Sequence, residues 1–183
     1  MRVISGLLKG RIINGFDIIG TRPTMDRVKE SVFGIIQNSL KDSIVLDLFA
    51  GSGNLGIEAI SNGSKLVYFN DNNRKCINVI KNNLKDFNVI NKSVITNFDY
   101  MEALRFYQKN QVNFDLVFLD PPYKDLIINK IMDYLINWQL LKNKALIICE
   151  VNEIIPFNHE KILLIKERKY GDKMILIYQY KEK

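Results

Sequence analysis

A glycine-rich loop and the carboxylate that follows it are the first residues of this 183-residue chain that could perform chemistry. The stretch VLDLFAGSGNLGIEA, residues 45 to 59, places Gly51, Gly53 and Gly56 in the spacing G-x-G-x-x-G. Such a loop turns a strand into a helix N-terminus and lets a ligand approach the backbone closely. Asp71 follows Gly51 by twenty residues, where a carboxylate can accept hydrogen bonds from ribose hydroxyls. The spacing therefore indicates a site for a cofactor that contains adenosine.

Asp47, within the same stretch, discriminates between two classes of such cofactor. A dinucleotide places a negatively charged pyrophosphate over the glycine turn, and a carboxylate there would repel each charge by about 1 kcal/mol at 4 Å in water. S-adenosylmethionine instead carries a positive ammonium and a positive sulfonium, so the charge of Asp47 favours it over NAD. Asp99, which begins the helix after the third predicted strand, can cap that helix or accept from the adenine amino group. The two roles of Asp99 are compatible.

The motif Asp120-Pro121-Pro122-Tyr123 follows a continuous apolar run and could hold the acceptor of a methyl group. Because the two prolines stiffen the turn, the Asp120 carboxylate and the Pro121 carbonyl can both accept hydrogen bonds from an exocyclic amine. Holding both N–H groups lets the nitrogen pyramidalise and direct its lone pair at the methyl group, while Tyr123 stacks on the base. Guanine N2, adenine N6 and cytosine N4 all offer two N–H donors. The motif therefore predicts an amino-methyltransferase without choosing the base.

Alternating strand and helix patterns position these residues. Apolar runs predict five strands with amphipathic helices between them, which is typical of a doubly wound parallel sheet. Two further strands surround the turn Gly171-Asp172 and predict a terminal antiparallel hairpin. The five runs are residues 43–49, 65–71, 93–98, 114–120 and 144–151, and a helix is predicted over 125–141 before the last of them.

The N-terminal residues 1–41 are expected to add a small β-hairpin and a helix that Thr24 could cap. We therefore predict a single domain over residues 1–183, with an N-terminal extension at 1–41 and a catalytic body at 42–183. No apolar run reaches the roughly 18 residues that cross a bilayer, and the N-terminus lacks the pattern of a signal peptide, so a cytoplasmic location is expected. No metal site is expected, because Cys76 and Cys149 lack metal-ligand spacing and fit buried hydrophobic positions.

Positive charge is concentrated at the two ends of the chain. Residues 1–41 and residues 161–183 each carry seven Lys or Arg against three Asp or Glu, whereas residues 42–160 carry twelve against fourteen. A near-neutral body with basic margins suits a polyanionic partner such as a nucleic acid. Ordinary solvated surface lysines would give the same counts, so the charge alone leaves both interpretations open.

Several motifs together resemble the RsmD family of bacterial 16S ribosomal RNA guanine-N2 methyltransferases. They are MRVISGLLKGR, TRPTMDRVKESVF, VLDLFAGSGNLGIEA, FDLVFLDPPY and YGDKMILIY, which span nearly the whole chain. The resemblance implies a class I S-adenosylmethionine-dependent methyltransferase (Rossmann-like) fold, with a mostly parallel seven-stranded sheet. It also implies S-adenosylmethionine as donor and a guanine N2 of 16S rRNA, in an assembling or assembled small subunit, as acceptor.

The resemblance implies a role for each motif residue. The set that binds cofactor comprises Asp47, Phe49, Gly51, Gly53, Asp71 and Asp99. The base is held by Asp120, Pro121, Pro122 and Tyr123, and RNA is contacted by Arg2, Arg11, Arg22 and Arg27. Asp71 departs from the longer glutamate expected there, which would make its ribose contact shorter or water-bridged. Arg27 could instead pair with Asp26 or Glu30 on its own helix.

Two other functions compete with this interpretation. A DNA adenine-N6 or cytosine-N4 methyltransferase would use the same Asp120 motif, but such enzymes usually need an extra segment to recognise their target, and no insertion here is long enough. A non-catalytic RNA-binding assembly factor could share the fold, although the intact Asp120 motif argues against it. An NAD-dependent oxidoreductase is disfavoured by Asp47 and by the lack of a second substrate domain.

Overall fold

A seven-stranded sheet forms the centre of the protein, as the sequence predicts. The computed structural model describes residues 1–15, 26–121, 126–153 and 156–182. The strand order is β3-β2-β1-β4-β5-β7-β6, in which β1 to β5 are parallel and β7 runs antiparallel to both of its neighbours. The strands are β1 Ile44–Asp47, β2 Leu66–Asn70, β3 Ser93–Thr96, β4 Phe114–Leu119, β5 Leu141–Val151, β6 Ile162–Tyr170 and β7 Lys173–Tyr180.

Five described helices cover the two faces of this sheet. They are α1 Asp26–Ile36, α2 Asn54–Ser61, α3 Arg74–Asp86, α4 Tyr100–Lys109 and α5 Leu126–Asn137. The first three pack with the N-terminal segment on one face, where Val45, Leu116 and Ile148 supply the strands' side of the core. The other two pack on the opposite face against Leu46, Val117 and other alternate strand residues. Side chains of successive strand residues point to opposite faces, so each strand contributes to both cores.

The end of α5 and the start of β5 differ from the prediction. The helix ends at Asn137 and not at residue 141, and β5 begins at Leu141 and not at residue 144. Gln139 turns the chain with a φ of 55°, and the Leu140 carbonyl accepts a hydrogen bond from the Phe114 N–H at 2.9 Å. The apolar pair at 140–141 fits a helix or a strand by pattern alone, and pairing with the start of β4 decides for the strand.

The N-terminal segment forms a small hairpin, as the sequence predicts. Arg2 and Ile12 form a single antiparallel bridge, and the Val3 N–H donates to the Arg11 carbonyl at 2.9 Å. Beyond this bridge, the Leu7 N–H instead donates to the Ser61 carbonyl of α2. The loop of the hairpin therefore docks onto α2. The predicted capping residue Thr24 lies outside the described residues, and none of the described helices is long and apolar enough to cross a membrane.

Candidate active site

The glycine loop follows β1 and leads directly into α2. Gly51 and Gly53 have φ values of 54° and 82°, in the left-handed region that glycine adopts most readily, and Gly53 is the N-cap of α2. Gly56 has another function, since a Cβ there would lie 2.2 Å from the Phe69 ring of β2. The third glycine thus allows α2 to pack closely on the sheet, and the first two shape the turn.

Asp47, the last residue of β1, is a buried carboxylate beneath this loop. Its Oδ2 accepts a hydrogen bond from the Gly56 N–H at 2.9 Å. Burial raises the pKa of Asp47 to about 7, the Gly56 hydrogen bond opposes that rise, and the charges of Asp120 and Asp71 add to it. Burial disfavours the ionised form of the Asp47 carboxylate. A cationic ligand group bound beside Asp47 would stabilise that ionised form and would be attracted to it.

Asp71, one residue beyond β2, lies beside the glycine loop as predicted. Its Oδ2 accepts from the Gly51 N–H at 2.8 Å, and its Oδ1 accepts from the Asn73 N–H at 2.8 Å. Burial raises the pKa of Asp71, and these two hydrogen bonds oppose that rise. The carboxylate therefore fixes the glycine turn and the chain before α3. Each oxygen retains further acceptor capacity, and the ribose contact stays a prediction.

Asp99 and the ring of Phe49 both lie at the start of α4. The Oδ1 of Asp99 accepts from the Met101 N–H at 2.8 Å and from the Glu102 N–H at 3.0 Å, which confirms its role as N-cap. The Phe49 ring lies 6.3 Å from the ring of Tyr100, the first residue of α4. These contacts bring the end of the β1 loop and the start of α4 together, while the adenine contact stays a prediction.

Asp120 and Pro121 follow β4, which is the strand next to β1. The charge of Asp120 raises the pKa of Asp47, so the two carboxyl groups are close enough to interact. The structure thus brings the predicted acceptor residue to the predicted donor site at the carboxyl edge of the sheet. Pro122 and Tyr123, the other half of the motif, lie outside the described residues.

The basic residues predicted to contact RNA are on the surface. Arg2, Arg11 and Arg27 are all exposed. The Arg2 Nε pairs with the Asp26 carboxylate at 3.3 Å. The Arg11 guanidinium lies 5.7 Å from the centroid of the Phe87 ring. Arg22 lies outside the described residues. RNA contact by these four arginines stays a prediction.

A buried ion pair beside the glycine loop was not anticipated from the sequence. The Lys29 Nζ lies 3.0 Å from a Glu58 carboxylate oxygen, and both side chains are fully buried. Lys29 also donates to the Arg2 carbonyl at 2.6 Å and to the Asn54 Oδ1 at 2.8 Å, while Glu58 accepts from the Ser5 N–H at 2.8 Å. The network joins the N-terminal segment and α1 to the first residues of α2.

A sequence signal for this pair exists in α1. Lys29 stands three, four and seven residues before Val32, Phe33 and Ile36, so it lies on the apolar stripe of the helix. A charge on such a stripe is buried and needs a partner.

Asn83 of α3 fastens the N-terminal segment at a second point. Its Nδ2 donates to the Asn14 carbonyl at 3.0 Å and to the Ser52 carbonyl at 3.1 Å, and its Oδ1 accepts from the Asn14 N–H at 3.0 Å. Gly15 lies so close to Ser52 that a Cβ there would be 2.5 Å from the Ser52 Cβ. One amide therefore holds the N-terminal segment against the glycine loop.

The sheet order, the glycine loop after β1 and the carboxylate after β2 define the class I S-adenosylmethionine-dependent methyltransferase fold. Two solved structures share it. The protein yhhF from Escherichia coli matches with a TM-score of 0.87 and 26% identity. The match covers 99% of this chain and 98% of yhhF. An RNA methyltransferase from Salinibacter ruber, in complex with S-adenosyl-L-homocysteine, matches over 88% and 95% with a TM-score of 0.68. At 13% identity, the latter supports the fold alone.

The chain belongs to the family described as Conserved hypothetical protein 95, whose model matches residues 1–179. A curated relative, the ribosomal RNA small subunit methyltransferase D of Haemophilus influenzae, is 35% identical over 181 residues, which are 98% of this chain and 93% of the relative. This membership confirms the resemblance to the RsmD family, and the protein is a methyltransferase by family and by fold.

Proposed function

We propose that this protein transfers a methyl group from S-adenosylmethionine to the exocyclic N2 of a guanine in 16S ribosomal RNA. The observation that carries the proposal is the placement of Asp47 and Asp120 at one edge of the sheet, because Asp47 is aligned with Phe118 in the neighbouring strand and Asp120 follows Phe118 by two residues. One carboxylate suits a cationic donor and the other suits an amine acceptor. Their proximity is what a direct transfer between two bound substrates requires.

The donor side is built from buried polar groups around the glycine loop. S-adenosylmethionine, when bound, supplies a methyl group activated by a positive sulfonium. The Asp47 carboxylate would balance the positive charge, and Asp71, Asp99 and Phe49 would surround the adenosine end. Asn54, at the first turn of α2, has a buried Nδ2 that finds no acceptor within the described parts of the chain, although its Oδ1 is bonded to Lys29. An unmatched buried donor beside the loop fits an acceptor group of a ligand.

The acceptor side uses Asp120 and Pro121 to hold both hydrogens of the amine. The nitrogen lone pair attacks the methyl carbon as the carbon–sulfur bond breaks, and the methylated nitrogen then releases a proton to solvent. Because that nitrogen becomes acidic once methylated, no strong base is needed. Alignment of the two substrates at about 3–3.5 Å supplies most of the rate. Pro122 and Tyr123 complete the motif in the sequence, with Tyr123 proposed to stack on the base.

Small-subunit rRNA as substrate rests on family membership and on charge. The Haemophilus influenzae relative is named for ribosomal RNA of the small subunit. Arg2, Arg11 and Arg27 are exposed and would contact phosphates, together with Arg22. The proposal includes a cytoplasmic protein of one domain that acts on an assembling or assembled small subunit. The target base would be flipped out of its stack to reach Asp120.

Methylation of purified small subunits tests this proposal. Subunits from a strain that lacks the enzyme are incubated with labelled S-adenosylmethionine, and the RNA is then hydrolysed to nucleosides. Label in N2-methylguanosine is the expected result, and mapping of the labelled fragment identifies the nucleotide. Label in N6-methyladenosine or N4-methylcytidine would contradict the choice of base, and label entering only DNA would contradict the choice of RNA. A protein that binds subunits and transfers no methyl group would be an assembly factor.

A further inference from the structure

A second buried carboxylate occupies the strand next to the acceptor motif. Glu150 is the penultimate residue of β5, which pairs in parallel with β4. Leu119 and Cys149 are aligned in the two strands, so the next residues along each chain are Asp120 and Glu150. Neighbouring strands are about 4.8 Å apart, which places these two residues side by side at the carboxyl edge.

The two side chains share one face of the sheet. Phe118 and Ile148, two residues earlier in each strand, both belong to the core under α1 and α2. Because strand side chains alternate between faces, Asp120 and Glu150 lie on that same face. The influence of Asp120 on the pKa of Asp47 agrees with this placement, since Val45, two residues before Asp47, is part of the same core. Donor, acceptor and Glu150 therefore follow one another across β1, β4 and β5.

Glu150 is a buried carboxylate with a lysine as its counter-ion. The residue is 9% exposed, and the Lys173 Nζ contacts its Oε1 as an ion pair. An ionised carboxylate has about four lone-pair sites on its two oxygens, so the pairing with Lys173 leaves acceptor capacity for a donor that a ligand could bring.

We infer that Glu150 recognises the acceptor base as guanine by accepting a hydrogen bond from its N1–H group. The inference rests on the proposed function, in which Asp120 and Pro121 hold the N2 amine. Guanine carries its N1–H donor next to that amine. Adenine has an acceptor nitrogen at N1 beside its amine, and cytosine has one at N3. An ionised carboxylate accepts hydrogen bonds only, so it would pair with guanine and repel the other two bases.

Lys173 has a supporting function in this arrangement. Its positive charge compensates for burying the Glu150 carboxylate, which would otherwise take up a proton and become a donor as well as an acceptor. The selectivity for guanine therefore depends on the pair, and Glu150 is the member that touches the base. The Asp120 motif could not distinguish the three amines, and Glu150 supplies a physical reason for the choice.

Replacing the target guanosine with 2-aminopurine tests the inference without a variant. This base retains the 2-amino group but has an acceptor nitrogen at position 1. Small subunits are reconstituted with 16S rRNA that carries guanosine or 2-aminopurine at the nucleotide identified by the labelling experiment. We expect kcat/KM of the wild-type enzyme to fall at least about a hundredfold for 2-aminopurine, because a buried acceptor would face another acceptor. Equal rates on both substrates would overturn the inference.

Glu150→Gln then tests the residue itself. Its amide can donate a hydrogen bond to the position-1 nitrogen, so we expect about a tenfold or larger loss on guanosine and a preference between the two bases reduced to within about tenfold. Affinity for S-adenosylhomocysteine should match the wild type, which shows that the variant is folded under the assay conditions. The melting temperature should fall, because Lys173 loses its counter-ion. Glu167→Gln, on the exposed surface of β6, serves as the control. An unchanged preference in Glu150→Gln would remove Glu150 from base recognition. Failure of the wild type to methylate guanosine at all would instead overturn the proposed function, and this inference with it.

Discussion

The Asp47 Oδ2 accepts a hydrogen bond from the Gly56 N–H at 2.9 Å, so the carboxylate that we propose to balance a cationic cofactor also holds the first turn of α2. The same residue ends β1 and thereby joins the sheet to the glycine loop. Changes in the ionisation of Asp47 should consequently affect both cofactor binding and stability.

The affinity for S-adenosylmethionine should rise with pH through the region of neutrality. Burial raises the pKa of Asp47 to about 7, and a bound cation favours the ionised carboxylate, so binding releases a proton. We expect roughly tenfold tighter binding at pH 7.5 than at pH 6, measured by calorimetry in buffers of different ionisation enthalpy. Asp47→Asn should bind weakly at both pH values and release no proton. Equal proton release by this variant would assign the ionisation to another group.

The unliganded protein should lose stability between about pH 5.5 and pH 8. A raised carboxyl pKa means that the folded state holds its proton more tightly than the unfolded state, so this contribution is complete at low pH and is lost as pH rises through 7. The shift corresponds to about 2 kcal/mol over that interval. Urea unfolding at the two pH values measures it. The Asp47→Asn variant should lose correspondingly less stability over the same pH interval. An identical pH dependence of the free energy of unfolding in both proteins would contradict the prediction.

Replacing Asp120 should separate turnover from cofactor binding. Asp120→Asn removes the negative acceptor from the amine, and we expect kcat to fall by about 10²–10³ in single-turnover methylation of small subunits. The affinity for S-adenosylmethionine should change by no more than a few-fold, because Asp120 is assigned to the acceptor amine and not to the cofactor. Asp133→Asn, on the exposed side of α5, is the matched control. Near-normal turnover of Asp120→Asn would remove the residue from the reaction.

Two glycine-to-alanine changes should have opposite effects on stability. In Gly56→Ala the new Cβ would lie 2.2 Å from the Phe69 ring, so we expect a loss of about 2–3 kcal/mol in the free energy of unfolding. Gly34 lies on the exposed side of α1 with no atom near its Cβ position, and Gly34→Ala should gain up to about 1 kcal/mol. Chemical denaturation of both variants measures the pair. A stable Gly56→Ala protein would show that α2 can move away from β2 at little cost.

Loss of the Lys29–Glu58 ion pair should destabilise the protein far more than loss of a surface lysine. Lys29→Met leaves a fully buried carboxylate without its counter-ion, and we expect about 3–5 kcal/mol of destabilisation. Lys81→Met, on the exposed side of α3, should change stability by less than about 0.5 kcal/mol. Urea unfolding of the two variants makes the comparison. Similar stabilities would mean that Glu58 finds another partner or becomes protonated.

The surface arginines should contribute to RNA binding in a salt-dependent way. Arg27→Ala should weaken binding to small subunits across sequences and lower the slope of log affinity against log salt by about 1, with cofactor affinity unchanged. The same outcome is expected for Arg22→Ala. Arg105→Ala, exposed on α4 at the other face of the sheet, is the control. Equal effects of Arg27→Ala and Arg105→Ala would point to non-specific attraction by the whole surface.

The layered fold, the glycine loop and the placement of Asp47, Asp71 and Asp120 could be predicted from the sequence, because short local patterns encode each of them. Apolar runs specify strands, and glycine spacing specifies a turn whatever the rest of the chain does. The order of the elements then brings residues after parallel strands to one edge. The prediction of where α5 ends was wrong because it, too, rested on a local pattern. A local apolar pattern cannot distinguish the end of a helix from the start of a strand.

Contacts between distant polar groups depend on how the helices and strands pack together. Lys29 and Glu58 are 29 residues apart, and their pairing depends on how α1 packs beside α2. Asp120 and Glu150 become neighbours through the register of β4 and β5, and the Lys173 pairing of Glu150 depends on β7 entering the sheet between β5 and β6. Such contacts join segments far apart in the chain, and burial, which makes a carboxylate selective, is a property of the packed protein and not of any short stretch of it.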